Sequence, residues 1–156
     1  MPTWMFGEPE AAGGFSTFAG VPRMRLNLRR AEFHRAMLEF KQFRQELGLG
    51  PAGKQGGTLT KLVIGERSFW GKNAHGQRVT LRVNPISRTH AETDSFQQAH
   101  NAGVSGGRGV LYVDNPDYPL GMCPSCGDYG AVESMARQLG LESLTVVSPN
   151  ASTVVY

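Results

Sequence analysis

The sequence is poor in cysteine, in histidine and in long apolar runs, and each shortage excludes something. Only two of the 156 residues are Cys, and both lie in Cys123-Pro124-Ser125-Cys126. A disulfide framework is therefore excluded, and a Cys-rich structural metal site with it. No apolar run approaches the roughly 20 residues needed to span a bilayer, so no membrane contact is expected. Met1–Glu10 has no basic stretch followed by an apolar one, and no secretory leader is expected from it. Gly53-Lys54 lacks the frame of a phosphate loop, and Gly106, Gly107 and Gly109 precede a strand rather than follow one, so neither nucleotide fingerprint is present. No internal repeat is visible.

What is present describes an ordinary folded domain. Hydrophobic residues make up 40% and charged residues 19%, which places the chain among globular rather than disordered proteins. The net charge of +3 and pI of about 9.1 are compatible with an anionic partner. Residues 1–22 read as an irregular arm rich in Gly, with Trp4, Phe6, Phe15 and Phe18 available to pack onto a single domain spanning 23–156. Phe33, Ala36, Met37, Phe40, Phe43 and Leu47 recur in steps of three and four, which predicts a helix over 31–47 stopped by Gly48 and Gly50-Pro51. Between positions 23 and 47 seven cations face three anions. A solvated face and a phosphate-binding surface both fit that excess.

Strands are expected at Leu59–Ile64, Arg67–Trp70 and Val79–Val83, the last two joined by a hairpin turn over 71–76. A helix follows from about His90 to Asn101, then a strand over Gly109–Asp114 and a loop over Asn115–Met122. A further helix is expected over Pro124–Leu139, a strand at Leu144–Val147, and a short last strand at Thr153–Tyr156. Strands alternating with helices imply a mainly parallel sheet with helices packed on it.

The informative stretches are Thr89-His90-Ala91-Glu92 and the Cys-x-x-Cys. His90, Cys123 and Cys126 are suitable ligands for Zn²⁺, which takes thiolates and imidazole nitrogens in a tetrahedron. A fourth protein ligand is hard to find, because His34, His75 and His100 stand at no finger-like spacing from His90. Three ligands plus a water is the simpler count, with Glu92 as acid/base partner of that water. This is the pattern of the zinc-dependent nucleobase deaminases. Both motifs are expected at helix starts, where amide donors and the positive dipole end favour thiolates and a bound hydroxide. Each motif also has a plainer reading. Thr89-x-x-Glu92 is a capping box. A lone Cys-x-x-Cys suits a thioredoxin-like redox site, but that needs the motif near the start of the domain, and here it comes late. Tyr118, before Cys123, fits either base stacking or loop packing, and Arg88 and Arg108 fit either phosphate contact or ordinary exposure.

These residues resemble the cytidine-deaminase superfamily, and within it the interbacterial DNA cytosine deaminase domains of bacterial polymorphic toxins. The resemblance spans about 59–148. It rests on Asn84-Pro85, Thr89-His90-Ala91-Glu92, Leu111-Tyr112-Val113-Asp114 and Cys123-Pro124-Ser125-Cys126-Gly127. It implies a three-layer α/β/α fold with a five-stranded mixed sheet, Zn²⁺ on His90, Cys123 and Cys126, and Glu92 as proton shuttle. It further implies a substrate contact at Asn84, and Ala91, Tyr118, Ser125 and Arg88 are further candidate substrate contacts. The implied activity is hydrolytic conversion of cytosine to uracil, mutagenic in single-stranded DNA, with double-stranded DNA, RNA or a free nucleoside or nucleotide as alternatives. A non-catalytic zinc-stabilised binding module is the alternative from another class. An immunity protein is the implied partner, and the implied site of action is the cytoplasm of a target cell reached by secretion. One departure is Met122, where the family carries Pro before the first Cys. The loop before it also looks longer than usual.

Overall fold

The computed structural model describes residues 21–53, 57–118, 122–127 and 130–156. The expected arm lies outside these residues, apart from Val21 and Pro22, which open helix α1 (Val21–Leu47). Pro is compatible with the first turn of a helix, where its missing N–H has no partner to lose. Strands β1 (Leu59–Ile64) and β2 (Arg67–Lys72) form a hairpin. A 3₁₀ turn (Ser87–Thr89), α2 (Ala91–Asn101), β3 (Arg108–Val113), α3 (Ala131–Gln138), β4 (Ser143–Val147) and β5 (Ser152–Val154) follow. Among the described residues no helix is long and apolar enough to cross a membrane.

The five strands form one mixed sheet in the order β2-β1-β3-β4-β5. Only β3 and β4 run parallel, and α3 supplies the crossover that a parallel pair requires. The expectation of a mainly parallel sheet is therefore replaced by a mixed one, as the family resemblance implied. Alternation along β1 sends Leu59, Lys61 and Val63 toward α1, and Thr60, Leu62 and Ile64 toward α2. The result is three layers, with α1 on one face and α2 and α3 on the other.

The α1 face is built around Phe40 and Trp70, whose rings meet edge-on at 5.1 Å, with Phe43 against Trp70 at 5.2 Å. Such aromatic pairs contribute about 0.5–1.5 kcal/mol each beyond the area they bury. One expected core position fails here. Leu47 is 38% exposed, while Arg44, read as a solvated cation, is only 6% exposed. Its guanidinium bonds Asp114 Oδ2 at 2.8 Å and the carbonyls of Gly50 and Gly57 at 3.1 and 2.7 Å. Asp114 in turn accepts the N–H of Leu59 at 2.8 Å. The last turn of α1, the Gly-rich connection and the end of β3 are thereby tied together.

The expected third strand, Val79–Val83, does not form. The Thr80 and Leu81 N–H groups donate to Gln97 Oε1, and that of Arg82 donates to Gln138 Oε1. Two side-chain amides take the backbone bonds that a neighbouring strand would otherwise satisfy. Strand β2 instead runs on through Gly71 and Lys72, so Gly71 is a strand residue and not a turn residue.

Candidate active site

Helix α2 begins directly on the sheet because position 71 is a glycine. A Cβ there would lie 2.2 Å from the Ala91 carbonyl oxygen, 2.5 Å from Thr60 Oγ1 and 2.6 Å from Ser95 Oγ. Thr60 donates to the Ala91 carbonyl at 2.9 Å, and the Ala91 N–H donates to Asn73 Oδ1 at 2.8 Å. Lys72 N–H reaches Asp94 Oδ2 at 2.9 Å, and Gln77 Nε2 bonds the other oxygen of Asp94. These contacts do the work expected of a capping box. His90, not Thr89, is the N-cap, and it makes no side-chain capping bond. Glu92 is thus released from a capping role, while Asn73 satisfies the first amide from outside the helix.

The cysteines lie differently from expectation. Cys126 N–H and Gly127 N–H both bond the Cys123 carbonyl, at 3.1 and 3.0 Å, which makes 123–127 a tight turn. Helix α3 starts only at Ala131, after Gly130 at φ +80°. A left-handed residue cannot continue a right-handed helix, and glycine enters that region at little cost. So one helix N-terminus meets the site, not two.

The three expected ligands nevertheless converge. His90 Nδ1 lies 3.3 Å from Cys126 Sγ and 3.5 Å from Cys123 Sγ, and all three donor atoms fall within 4.8 Å of one another. Nitrogen and sulfur ligands on one tetrahedral zinc sit about 3.6 Å apart, given Zn–N near 2.05 Å and Zn–S near 2.3 Å. The set can therefore hold a metal ion of that kind. Cys126 is fully buried and Cys123 partly so.

Electrostatics divides the pair. The Cys126 S–H donates to Cys123, and with the Cys126 and Ser125 N–H groups and His90 it lowers the Cys123 thiol to about 5 against the opposing effect of burial. The same hydrogen bond, then burial and the nearby Glu92 and Cys123 charges, push Cys126 far up. Glu92, 3% exposed, is raised chiefly by desolvation and also by Cys123, although its own N–H, His90 and Cys126 pull the other way. A carboxyl raised above the ordinary carboxylate range is suited to carrying protons.

Above these groups opens a cleft of about 170 Å³, lined by His90, Glu92, Cys123, Gly53, Gly57, Thr58, Asn73, Asn115, Asp117 and Tyr118. Two wider clefts, of about 580 and 250 Å³, run along α1 and include none of the three donor residues. Of the expected substrate contacts, Tyr118 lines the working cleft and stands at its surface, with 36% exposure. Ala91 is buried beneath it, touching through its backbone. Arg88 is exposed, and its carbonyl holds His75 Nε2 at 3.0 Å. Arg108 is also exposed and lies near Glu142 at 3.7 Å. Asn84 and Ser125 bond each other at 3.0 Å behind the cysteines, and neither lines the cleft. Asn73, expected as a turn residue, lines the cleft instead, because β2 runs on to Lys72 and so carries it to the start of α2, an extension no local signal marks.

Residues 33–154 match the sequence model of the MafB19-like deaminases. The chain belongs to that family. No curated protein and no solved structure matches it. The five-stranded mixed sheet is consistent with that membership.

Proposed function

We propose that this MafB19-like deaminase is a zinc-dependent hydrolase that converts cytosine to uracil in nucleic acid, with single-stranded DNA as its substrate. The observation that carries this reading is a buried Glu92 beside a His/Cys/Cys donor set at the floor of a cleft the size of one base or nucleoside. Zinc held by such a set supplies Lewis acidity that makes water a nucleophile near neutral pH.

The protein's own residues do the rest. Glu92 takes a proton from the attacking water as its oxygen adds to C4 of cytosine, and passes that proton to N3. A second proton goes through Glu92 to the amino group, the C4–N bond breaks, ammonia leaves and uracil remains. Thr58, Asn73 and Asn115 present hydrogen-bonding groups around the base, and Tyr118 offers a ring for stacking at the rim. A base in a duplex stack cannot enter, so the substrate is single-stranded or flipped. Exposed Arg88, two residues before His90, and exposed Lys41 on α1 are available to phosphates.

The family resemblance extends the reading to an antibacterial toxin domain that is secreted, acts in the cytoplasm of a target cell and is held off in its producer by an immunity protein. A second reading, deamination of a free nucleoside, is favoured by the modest size of the cleft and by Asp117 at its wall, a carboxylate that repels phosphate. A non-catalytic zinc module leaves the burial of Glu92 beside the ligands without purpose. One assay separates these. Zinc-loaded protein is incubated with single-stranded DNA, duplex DNA, RNA and cytidine, and cytosine-to-uracil conversion is read by sequencing and by ammonia release. Conversion in single-stranded DNA that falls steeply with salt is expected. Conversion of cytidine alone, with no salt dependence, overturns the polymer reading.

A further inference from the structure

Behind the cysteines lies a chain of buried hydroxyls that the proton chemistry above does not use. Ser87, fully buried, has its Oγ 3.4 Å from Cys126 Sγ and 2.6 Å from Ser125 Oγ. Ser125 Oγ donates to Asn84 Oδ1 at 3.0 Å, and the same oxygen accepts the Ser87 N–H at 2.8 Å. The Ser87 carbonyl accepts the His90 N–H at 3.0 Å and the Thr93 hydroxyl at 2.7 Å. One residue thus touches the His90 backbone and the Cys126 sulfur, from a segment that carries neither ligand.

We infer that Ser87 is a positioning residue for the metal site: its hydroxyl donates to Cys126 Sγ when that sulfur ligates a metal, and Asn84 and Ser125 hold the hydroxyl in place. The inference rests on the metal-site reading and deepens it. A count of hydrogens supports it, since each hydroxyl has only one to give. With a thiol at 126 its one hydrogen goes to Cys123, while Ser87 donates to Ser125 and Ser125 to Asn84 Oδ1. A thiolate ligand has no hydrogen, so the order reverses: Ser125 donates to Ser87, and Ser87 donates to the sulfur. Asn84 Oδ1 keeps the Ser87 N–H in either case. Both arrangements leave every buried hydroxyl with a partner, so the cluster accommodates a ligating sulfur without stranding a polar group. Alanine at 87 removes the donor at a fully buried sulfur. Partners of this kind orient ligands and tune affinity, and their loss typically costs about 10–100-fold in metal binding.

The test compares wild-type protein with Ser87→Ala and Ser125→Ala. Zinc affinity is measured by competition with a chromophoric chelator, and the thiolate-to-metal charge-transfer band is recorded after loading with Co²⁺. Circular dichroism of the metal-free proteins checks that each folds. Ser87→Ala is expected to bind one ion about 10–100-fold more weakly and to shift the band. Ser125→Ala is expected to move both in the same direction by less, because Ser87 can still donate. If Ser87→Ala does not fold, Ser125→Ala decides the matter by the same two readouts. Wild-type protein that loads one ion, with folded variants unchanged in affinity and band, overturns the role of Ser87 and leaves the deaminase reading standing. Wild-type protein that takes up no ion overturns the metal site itself.

Discussion

The two halves of the site are held by different means. The His90–Glu92 half is fixed by the sheet: α2 rests on a glycine of β2, with Thr60, Lys72 and Asn73 bonding its first turn. The Cys123–Cys126 half is a local turn ahead of α3, and its outside anchors are the Ser87 hydroxyl and the Asn84 amide oxygen from the segment before α2. One half is held from the sheet beneath it, and the other by its own turn and the segment before α2. They should therefore fail in different ways.

The largest effect should come from the ligand turn. Cys123→Ser should weaken zinc binding by more than the roughly 10–100-fold typical of a change outside the ligand shell, and turnover should vanish with the metal. Because metal binding is linked to folding, thermal stability in zinc should fall as well. Equal zinc content in wild type and variant, by plasma emission, would show that the thiolate is no ligand.

Glu92→Ala breaks the other half in the opposite sense. Deaminase turnover should drop by about 10²–10⁴-fold, the range for losing a proton carrier, while zinc content stays at the wild-type level. The contrast between these two variants is the sharpest check on the division of labour. A Glu92 variant that keeps its activity sinks the proton-carrier role.

Sequence made the chemistry legible more readily than the scaffold. His90, Cys123 and Cys126 stand in a spacing that suits a shared metal site, and their donor atoms do meet. Five of the six expected strands and the helix α2 were also readable, since periodicity and glycine punctuation mark them, whereas the layer order came only from the family resemblance. What stayed hidden depends on long-range partners. Val79–Val83 has the composition of a strand, yet Gln97 and Gln138 take its N–H groups. Arg44 looks like a surface cation until Asp114, 70 residues away, supplies its counter-charge. Ser87 carried one readable hint, an Asn three residues upstream with a Pro between, the pattern of an Asn side chain closing a turn. Nothing local pointed from Ser87 to Cys126.

A third change probes how firmly the sheet holds α2. In Gly71→Ala the new methyl would stand 2.2 Å from the Ala91 carbonyl oxygen, so the helix start must move away. Overpacking of this sort costs about 1–3 kcal/mol, visible as a lowered midpoint in urea. Turnover should fall further than the loss of stability alone explains, because Ala91 sits between His90 and Glu92. Zinc affinity should fall too, but by less than in Cys123→Ser. An unchanged midpoint and an unchanged rate would mean that the first turn of α2 does not depend on the glycine.

The smallest effect, and the one most specific to the cysteine turn, is a pH dependence in protein stripped of metal. Cys123 titrates at about 5 instead of the ordinary 9, because the Cys126 S–H and nearby amides stabilise its thiolate. Thiolates, not thiols, are alkylated. Iodoacetamide should therefore modify Cys123 ahead of Cys126, with a rate that rises through about pH 5 and is nearly flat by neutrality, whereas an ordinary thiol keeps accelerating toward pH 9. The contribution of Cys123 to the stability of the metal-free fold carries the same sign. Between these two values the unfolded chain holds a proton that folded Cys123 does not, so acidification from 9 toward 5 removes stability. Ser125→Ala should alter this profile little, since the hydrogen bond at Cys123 comes from Cys126 and the Ser125 backbone. A Cys123 rate that climbs steadily to pH 9 would mean that the turn does not hold Cys126 as a donor, and the two halves of the site would then differ less than their hydrogen bonds imply.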